Sequence, residues 1–249
     1  MITPAELLAA LDLTGATCEE LIAMPGEGSI YAVEMSATDS LERWSTARTR
    51  GARIGWTPIA VGSHEELEFL REAIGDTQDD DDRDVAGWRE QAITLDVAAW
   101  LEQRRAEHEL VVPHAAWPMD AEPASGFYFP FDEQGVHLER WWMLLVPTEY
   151  DWEVPLLLGF GGWSSSPGPE VHAAFLRHWS HRYEAELIAV NSDSMELLIS
   201  RPPTSPEDAL ALAEAQFYYC PDIVEQGYGS VEALAAALIG GTTWFLWWD

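Results

Sequence analysis

Apolar positions recur at helical spacing in several stretches of the chain, and four of these stretches open on a legible start. Thr3-Pro4-Ala5-Glu6, Asp39-Ser40-Leu41-Glu42, Ser63-His64-Glu65-Glu66 and Ser205-Pro206-Glu207-Asp208 each set a capping side chain three residues before an acidic one. Pro4 and Pro206 suit the first helical position, where a missing N–H costs nothing. The pattern predicts helices near 4–12, 39–50, 64–74, 96–108, 169–183, 206–219 and 230–239, with Gly51, Gly75 and Gly240 as C-terminal caps.

Between them lie β-branched and aromatic runs bounded by turn residues. These predict strands at 29–35, 53–61, 135–146, 154–160, 185–191, 195–200 and 243–248. Helices and strands alternate without a strict βαβ rhythm, which points to an α+β fold: a mixed β-sheet with helices packed against it. A hydrophobic run ends in turn-like residues at Pro147 to Asp151, so an N-terminal α/β region (1–150) and a C-terminal domain (151–249) are expected. The run Asp76-Thr77-Gln78-Asp79-Asp80-Asp81-Asp82-Arg83-Asp84 lacks the spaced carboxylates and central glycine of a calcium loop, and an acidic, solvated loop over 76–84 is expected instead. A second irregular stretch, 113–125, precedes the strand near 136–146. Leu41–Val61 and Arg177–Val190 echo each other as a tryptophan-bearing helix followed by a strand; a decayed duplication and generic helix-then-strand patterning both produce such an echo.

Composition adds two facts to this pattern. Thirteen tryptophans, three of them in the last six residues, predict an aromatic-rich core with the C-terminus docked into it. The formal net charge is −30, and all 13 basic residues are arginine. Such a field disfavours nucleic acid and anionic membrane and favours a basic protein partner. The absence of lysine removes Schiff-base, P-loop and kinase-type chemistries. Two cysteines, Cys18 and Cys220, are too few for a disulfide scaffold. The first residues lack the features of a signal peptide, and no apolar run approaches a membrane span, so a cytoplasmic protein is expected.

Candidate chemistry is sparse. His172, His178 and His181 share a helix, but His172 and His181 point opposite ways and no HExxH pattern is present, so no metal is predicted. His178 and Arg182 flank the apolar stripe Val171, Ala174, Phe175 and Trp179, which makes them candidates for buried, hydrogen-bonded positions. Cys220 follows a helix C-terminus, the wrong pole for lowering a thiol pKa, and is expected to be inert. Gly159-Phe160-Gly161-Gly162-Trp163-Ser164-Ser165-Ser166-Pro167-Gly168 sits before a helix, where anions often bind, but it matches neither the dinucleotide fingerprint, the P-loop nor a nucleophile elbow; no cofactor is predicted. Asp193, Glu196 and Arg201 bracket a hairpin strand, and a carboxylate pair there could do acid–base work if burial separated its pKa values.

An ordered series of residues carries a family resemblance. Pro155-Leu156-Leu157-Leu158-Gly159-Phe160-Gly161-Gly162-Trp163 is followed by His178-Trp179-Ser180-His181-Arg182-Tyr183, Ala185-Glu186-Leu187-Ile188-Ala189-Val190, Asp193, Met195-Glu196-Leu197 and Arg201-Pro202-Pro203. Ala209 to Ala213, Tyr219-Cys220-Pro221-Asp222-Ile223-Val224 and Trp247-Trp248-Asp249 complete it. Over 155–249 the chain resembles the bacterial domain of unknown function 4253, which implies no activity. Where that family often carries asparagine and then cysteine before proline, this chain has Ser164 and Ser166, so the resemblance implies no thiol chemistry at the loop.

Three functional expectations follow. The first is a non-enzymatic protein- or ligand-binding module, in its sharpest form an immunity-type inhibitor of a basic partner. The alternative is a small-molecule enzyme with a pocket at the Gly161–Ser166 loop and the Cys220–Asp222 segment. The candidate ligand-binding residues are Trp163, Ser164, Ser166, His178, Arg182, Arg201, Tyr219, Cys220, Asp222, Trp248 and Asp249, with no catalytic residue assigned among them. In the third, structural reading, Asp222 and Arg201 close turns or pair with each other and the terminal tryptophans are core.

Overall fold

The computed structural model describes residues 2–249 apart from 25, 37–39, 79–82, 108–109, 130 and 132–133, and gives the backbone alone for 40 and 76–78. The described residues fold around one mixed sheet of seven strands: β1 (Cys18–Met24), β2 (Gly28–Ser36), β3 (Thr57–Gly62), β4 (Arg140–Val146), β5 (Ala185–Val190), β6 (Ser194–Ile199) and β7 (Thr243–Trp247). Their spatial order is β1-β2-β4-β3-β5-β6-β7. Neighbours are antiparallel except β3 and β5, which run parallel with Ala60 opposite Ala189. This seam joins strands from both sides of residue 151, so a single sheet spans the two parts of the chain.

Nine α-helices are described: α1 (Pro4–Ala10), α2 (Ser40–Gly51), α3 (His64–Gln78), α4 (Val85–Thr94), α5 (Val97–Ala106), α6 (Val154–Leu158), α7 (Pro169–Tyr183), α8 (Pro206–Tyr219) and α9 (Val231–Leu238). They cover the sheet unequally. One face carries the larger core, in which Leu67, Leu70 and Ile74 of α3, Phe175 and Trp179 of α7, Phe217 of α8 and Leu234 of α9 pack over Trp142, Leu144 and Val146 of β4. The opposite face is covered by Leu7 and Leu8 of α1, Trp44 and Ala47 of α2, and Phe129, over Trp141, Met143 and Leu145. Alternate residues of β4 feed the two cores, which explains why this strand reads as an unbroken apolar run. The two echoing helix–strand units are α2–β3 and α7–β5; their strands lie side by side while Trp44 and Trp179 pack on opposite faces.

Several expectations are corrected. The segment 154–160 is not a strand: Val154–Leu158 is a short helix, entered through a 3₁₀ turn at Asp151–Glu153 and closed by Gly159 at φ 69°. Short apolar runs do not separate buried strand from buried helix, and Pro155 near the start with Gly159 at the end favour the helix. Gly75 does not end α3, which runs on to Gln78, so the start of the expected acidic loop is helical. Its residues 79–82 lie outside the described residues, and Asp84 caps α4 through Gly87 N–H. The strand expected at 53–61 begins only at Thr57, and that at 135–146 only at Arg140.

Candidate functional site

The C-terminal residues singled out by sequence form an interlocked core rather than one open cleft. His172 of α7 has 0% of its surface exposed; its Nδ1 lies 2.5 Å from the Tyr219 hydroxyl and its Nε2 3.1 Å from Ser166 Oγ. Burial drives its pKa down to about 3, so the ring is neutral and offers one donor and one acceptor to the two hydroxyls. Trp248 closes the cluster, packing against Phe160, His172 and Tyr219 and donating Nε1–H to the Tyr219 carbonyl at 3.3 Å. Gly161 is required here: at φ 105°, a Cβ would stand 2.1 Å from the Pro167 carbonyl and 2.6 Å from the His172 ring.

Asp222 fixes the terminus, accepting from Asp249 N–H at 3.2 Å, Ser165 Oγ at 3.3 Å and Gln226 Nε2 at 3.1 Å. Cys220 donates to the Trp247 carbonyl at 2.9 Å, and burial pushes its thiol pKa well up, away from the thiolate a nucleophile needs. Ser164 is exposed with φ 47°, and Trp163 packs edge-on against Phe160. Beside them is an apolar cavity of about 330 Å³ lined by Leu70, Ile74, Leu158, Phe160, Trp163 and neighbours, which neither Cys220 nor Asp222 reaches.

Three predicted residues lie elsewhere. His178 and Arg182 are exposed, not buried as the sequence suggested; the buried histidine of α7 is His172. Partial burial, then Arg182 and His181, lower the His178 pKa. Arg182 pairs with Asp208 at 2.5 Å. Arg201 donates to the carbonyls of Arg182 and His181 at 2.9 and 2.6 Å, capping the end of α7, and has no bond to Asp222.

A different constellation has the geometry of a site. β3 and β5 end together, and the chain leaves β3 into α3 and β5 into the turn before β6. Ligands favour the crevice where neighbouring parallel strands part at their carboxyl ends. On the thinly covered face, Glu196 of β6 stands between Ala189 of β5 and Phe245 of β7. The small Ala189 leaves space beside it, and a cavity of about 210 Å³ opens there, lined by Val61, Glu66, Tyr128, Phe129, Phe131, Ala189, Asn191, Ser194, Glu196 and Phe245 among others. Glu196 is 5% exposed and is held rigidly: its two oxygens accept N–H bonds from Tyr128 at 2.8 Å and Phe129 at 2.7 Å. Glu66 completes the capping box of α3, accepting from Ser63 N–H, with Asn191 Nδ2 3.5 Å from its other oxygen.

Both carboxyls are perturbed in the same direction. Burial pushes Glu196 up to about 7, partly offset by its two N–H bonds and reinforced by the charge of Glu66. Burial likewise raises Glu66, with Asp193 adding to the effect. Among the described residues, the charges that shift these two groups are other carboxylates. A second chamber of about 510 Å³ shares Glu66 and Phe131 with the first and extends past Ser63, Phe69, Gln134 and Leu138. No group of three or more histidine, cysteine or carboxylate ligands among the described residues is placed to hold a metal ion. Sequence reasoning touched Glu196 but missed Glu66, whose spacing from Ser63 is fully explained by its cap.

Residues 142–249 match the family model described as Domain of unknown function (DUF4253). The match begins inside β4, upstream of Pro155, and includes Asn191, Ser194, Glu196 and Phe245, whereas Glu66, Tyr128 and Phe131 come from outside it. No curated protein and no solved structure matches the chain. No described helix is long and apolar enough to cross a membrane.

Proposed function

We propose that this chain is a non-enzymatic binding module for a basic partner, an immunity-type inhibitor being the form its charge suits best. The observation that carries this reading is the cavity holding Glu66 and Glu196, two desolvated carboxylates with a like charge nearby and aromatic rings around them. Burying like charges together is unfavourable; Glu196 relieves it below about pH 7 by holding a proton, and a bound cation relieves it with both groups ionised. The formal charge of −30 would steer such a partner in from a distance. An enzyme built on the Gly161–Ser166 loop and Cys220–Asp222 has less support, because the expected His178 lies exposed elsewhere on α7, the histidine that does sit beside the loop, His172, is sealed in the core, and the Cys220 thiol is held protonated. The free cysteines Cys18 and Cys220 suit a bacterial cytoplasm.

The test is a low-salt pull-down from native lysate, followed by reconstitution with each purified candidate. A basic protein that binds the purified chain, and is released as ionic strength rises, supports the reading. Enrichment of acidic or neutral proteins alone, or of none, would overturn it.

A further inference from the structure

We infer that the cavity between Glu66 and Glu196 receives the cationic head of a single arginine or lysine side chain from a protein partner. The inference rests on the binding-module reading and names the group that reading leaves open.

Four observations converge on it. Glu196 cannot swing away, because Tyr128 and Phe129 N–H each hold one of its oxygens; every carboxylate oxygen retains a second acceptor site for an incoming donor. Such a fixed acceptor binds a cation without first having to be ordered. The walls are aromatic: Phe129 and Phe131 line the cavity beside the Tyr128–Phe245 pair, whose ring centroids are 4.6 Å apart. Rings of this kind favour an organic cation through their π-faces, whereas a metal ion would need more oxygen ligands than two glutamates supply.

Size and placement indicate where the cation comes from. About 210 Å³ accommodates one long side chain. The adjoining chamber of about 510 Å³, reached past Glu66 and Phe131, offers room for the backbone that carries it. Around this opening Tyr128 is 65%, Phe69 51% and Phe131 43% exposed, an aromatic rim of the sort that anchors protein partners. Capping α3, holding Asn191 and pinning residues 128–129 account for the hydrogen bonds of the two glutamates. Those roles do not account for two carboxylates sharing one cavity, since a neutral acceptor would serve each.

The experiment is calorimetric titration of the full chain with the capped pentapeptide Gly-Gly-Arg-Gly-Gly, its lysine and citrulline counterparts, and agmatine. The arginine and lysine peptides are expected to bind, the neutral citrulline peptide not to, and agmatine to bind more weakly than the arginine peptide because it leaves the outer chamber empty. Glu196→Gln should weaken the arginine peptide about tenfold or more, the effect of losing a charge-assisted contact. Phe131→Ala, at a half-exposed rim position, should weaken it severalfold without altering the melting temperature, and carries the test if Glu196→Gln fails to fold. Equal binding of the citrulline peptide, equal binding of agmatine, or wild-type affinity in Phe131→Ala would each overturn the inference. A basic protein bound equally by wild type and Phe131→Ala would overturn it while leaving the binding-module reading intact.

Discussion

Replacing Trp248 by alanine tests how the C-terminus holds the fold. The indole is 1% exposed and contacts the rings of Phe160, His172 and Tyr219 at centroid distances of 5.9, 4.9 and 5.4 Å. Its neighbours come from α7, α8 and the Gly161 loop and are themselves bonded together, so they cannot collapse into the space left behind. Truncating a buried tryptophan in such a setting costs about 3–5 kcal/mol, to which the lost Nε1–H bond to the Tyr219 carbonyl contributes about 1 kcal/mol. For a chain of this size about 4 kcal/mol lowers Tm by roughly 8–16 °C. Urea denaturation followed by intrinsic fluorescence and far-UV circular dichroism measures the loss. Trp247, only half-buried, is the internal control: Trp247→Ala should cost less than half as much. A Trp248→Ala cost below about 1 kcal/mol, or a larger cost at Trp247, would refute the reasoning.

Other outcomes follow from the same geometry. Glu196 keeps its proton up to about pH 7 when folded but only to about 4.5 when unfolded, so its contribution to stability is complete below about pH 4.5 and is lost as pH rises through 7. The loss is about 3 kcal/mol, and Glu196→Gln should abolish it; parallel urea-stability profiles of variant and wild type from pH 4 to 8 would count against the assignment. His172 has the opposite sign: held down to about 3, it contributes above about pH 6.5 and its contribution fades as pH falls, a loss that His172→Asn should remove from the same profile. Cys220 should stay unmodified by iodoacetamide until the chain unfolds, as mass spectrometry of the labelled peptide will show; labelling in the native state would contradict its sealed position. Gly161→Ala should leave little folded protein, since the added methyl has backbone on one side and the His172 ring on the other; a near-native melting curve would be the contrary result.

The sequence carried the ends of α7 and α8 clearly, because Pro169, Pro206 and the apolar stripes sit where helix geometry demands them. It missed β1, an edge strand in which the consecutive exposed residues Glu19 and Glu20 break the apolar–polar alternation that marks a half-buried strand. It missed α4, capped by Asp84 but weakly amphipathic, and the π-helix at Ile223–Tyr228, which has no spacing signature. The buried histidine was available in the pattern: His172 precedes Phe175 and Trp179 by three and seven residues and so shares their face. The acidic cavity was not. Glu66 and Glu196 meet only because β3 and β5 are neighbours in the sheet, and nothing local to either residue encodes that pairing.

The central claim is that Glu66 and Glu196 form a site for a cation, and the side-chain carboxyl ¹³C resonance of Glu196 reports on it directly. Its pH titration should give a midpoint near 7 in the free chain, from burial and the nearby Glu66. In the presence of the Gly-Gly-Arg-Gly-Gly peptide the midpoint should fall, because a bound cation favours the carboxylate. A midpoint that stays where it was at saturating peptide would contradict the account.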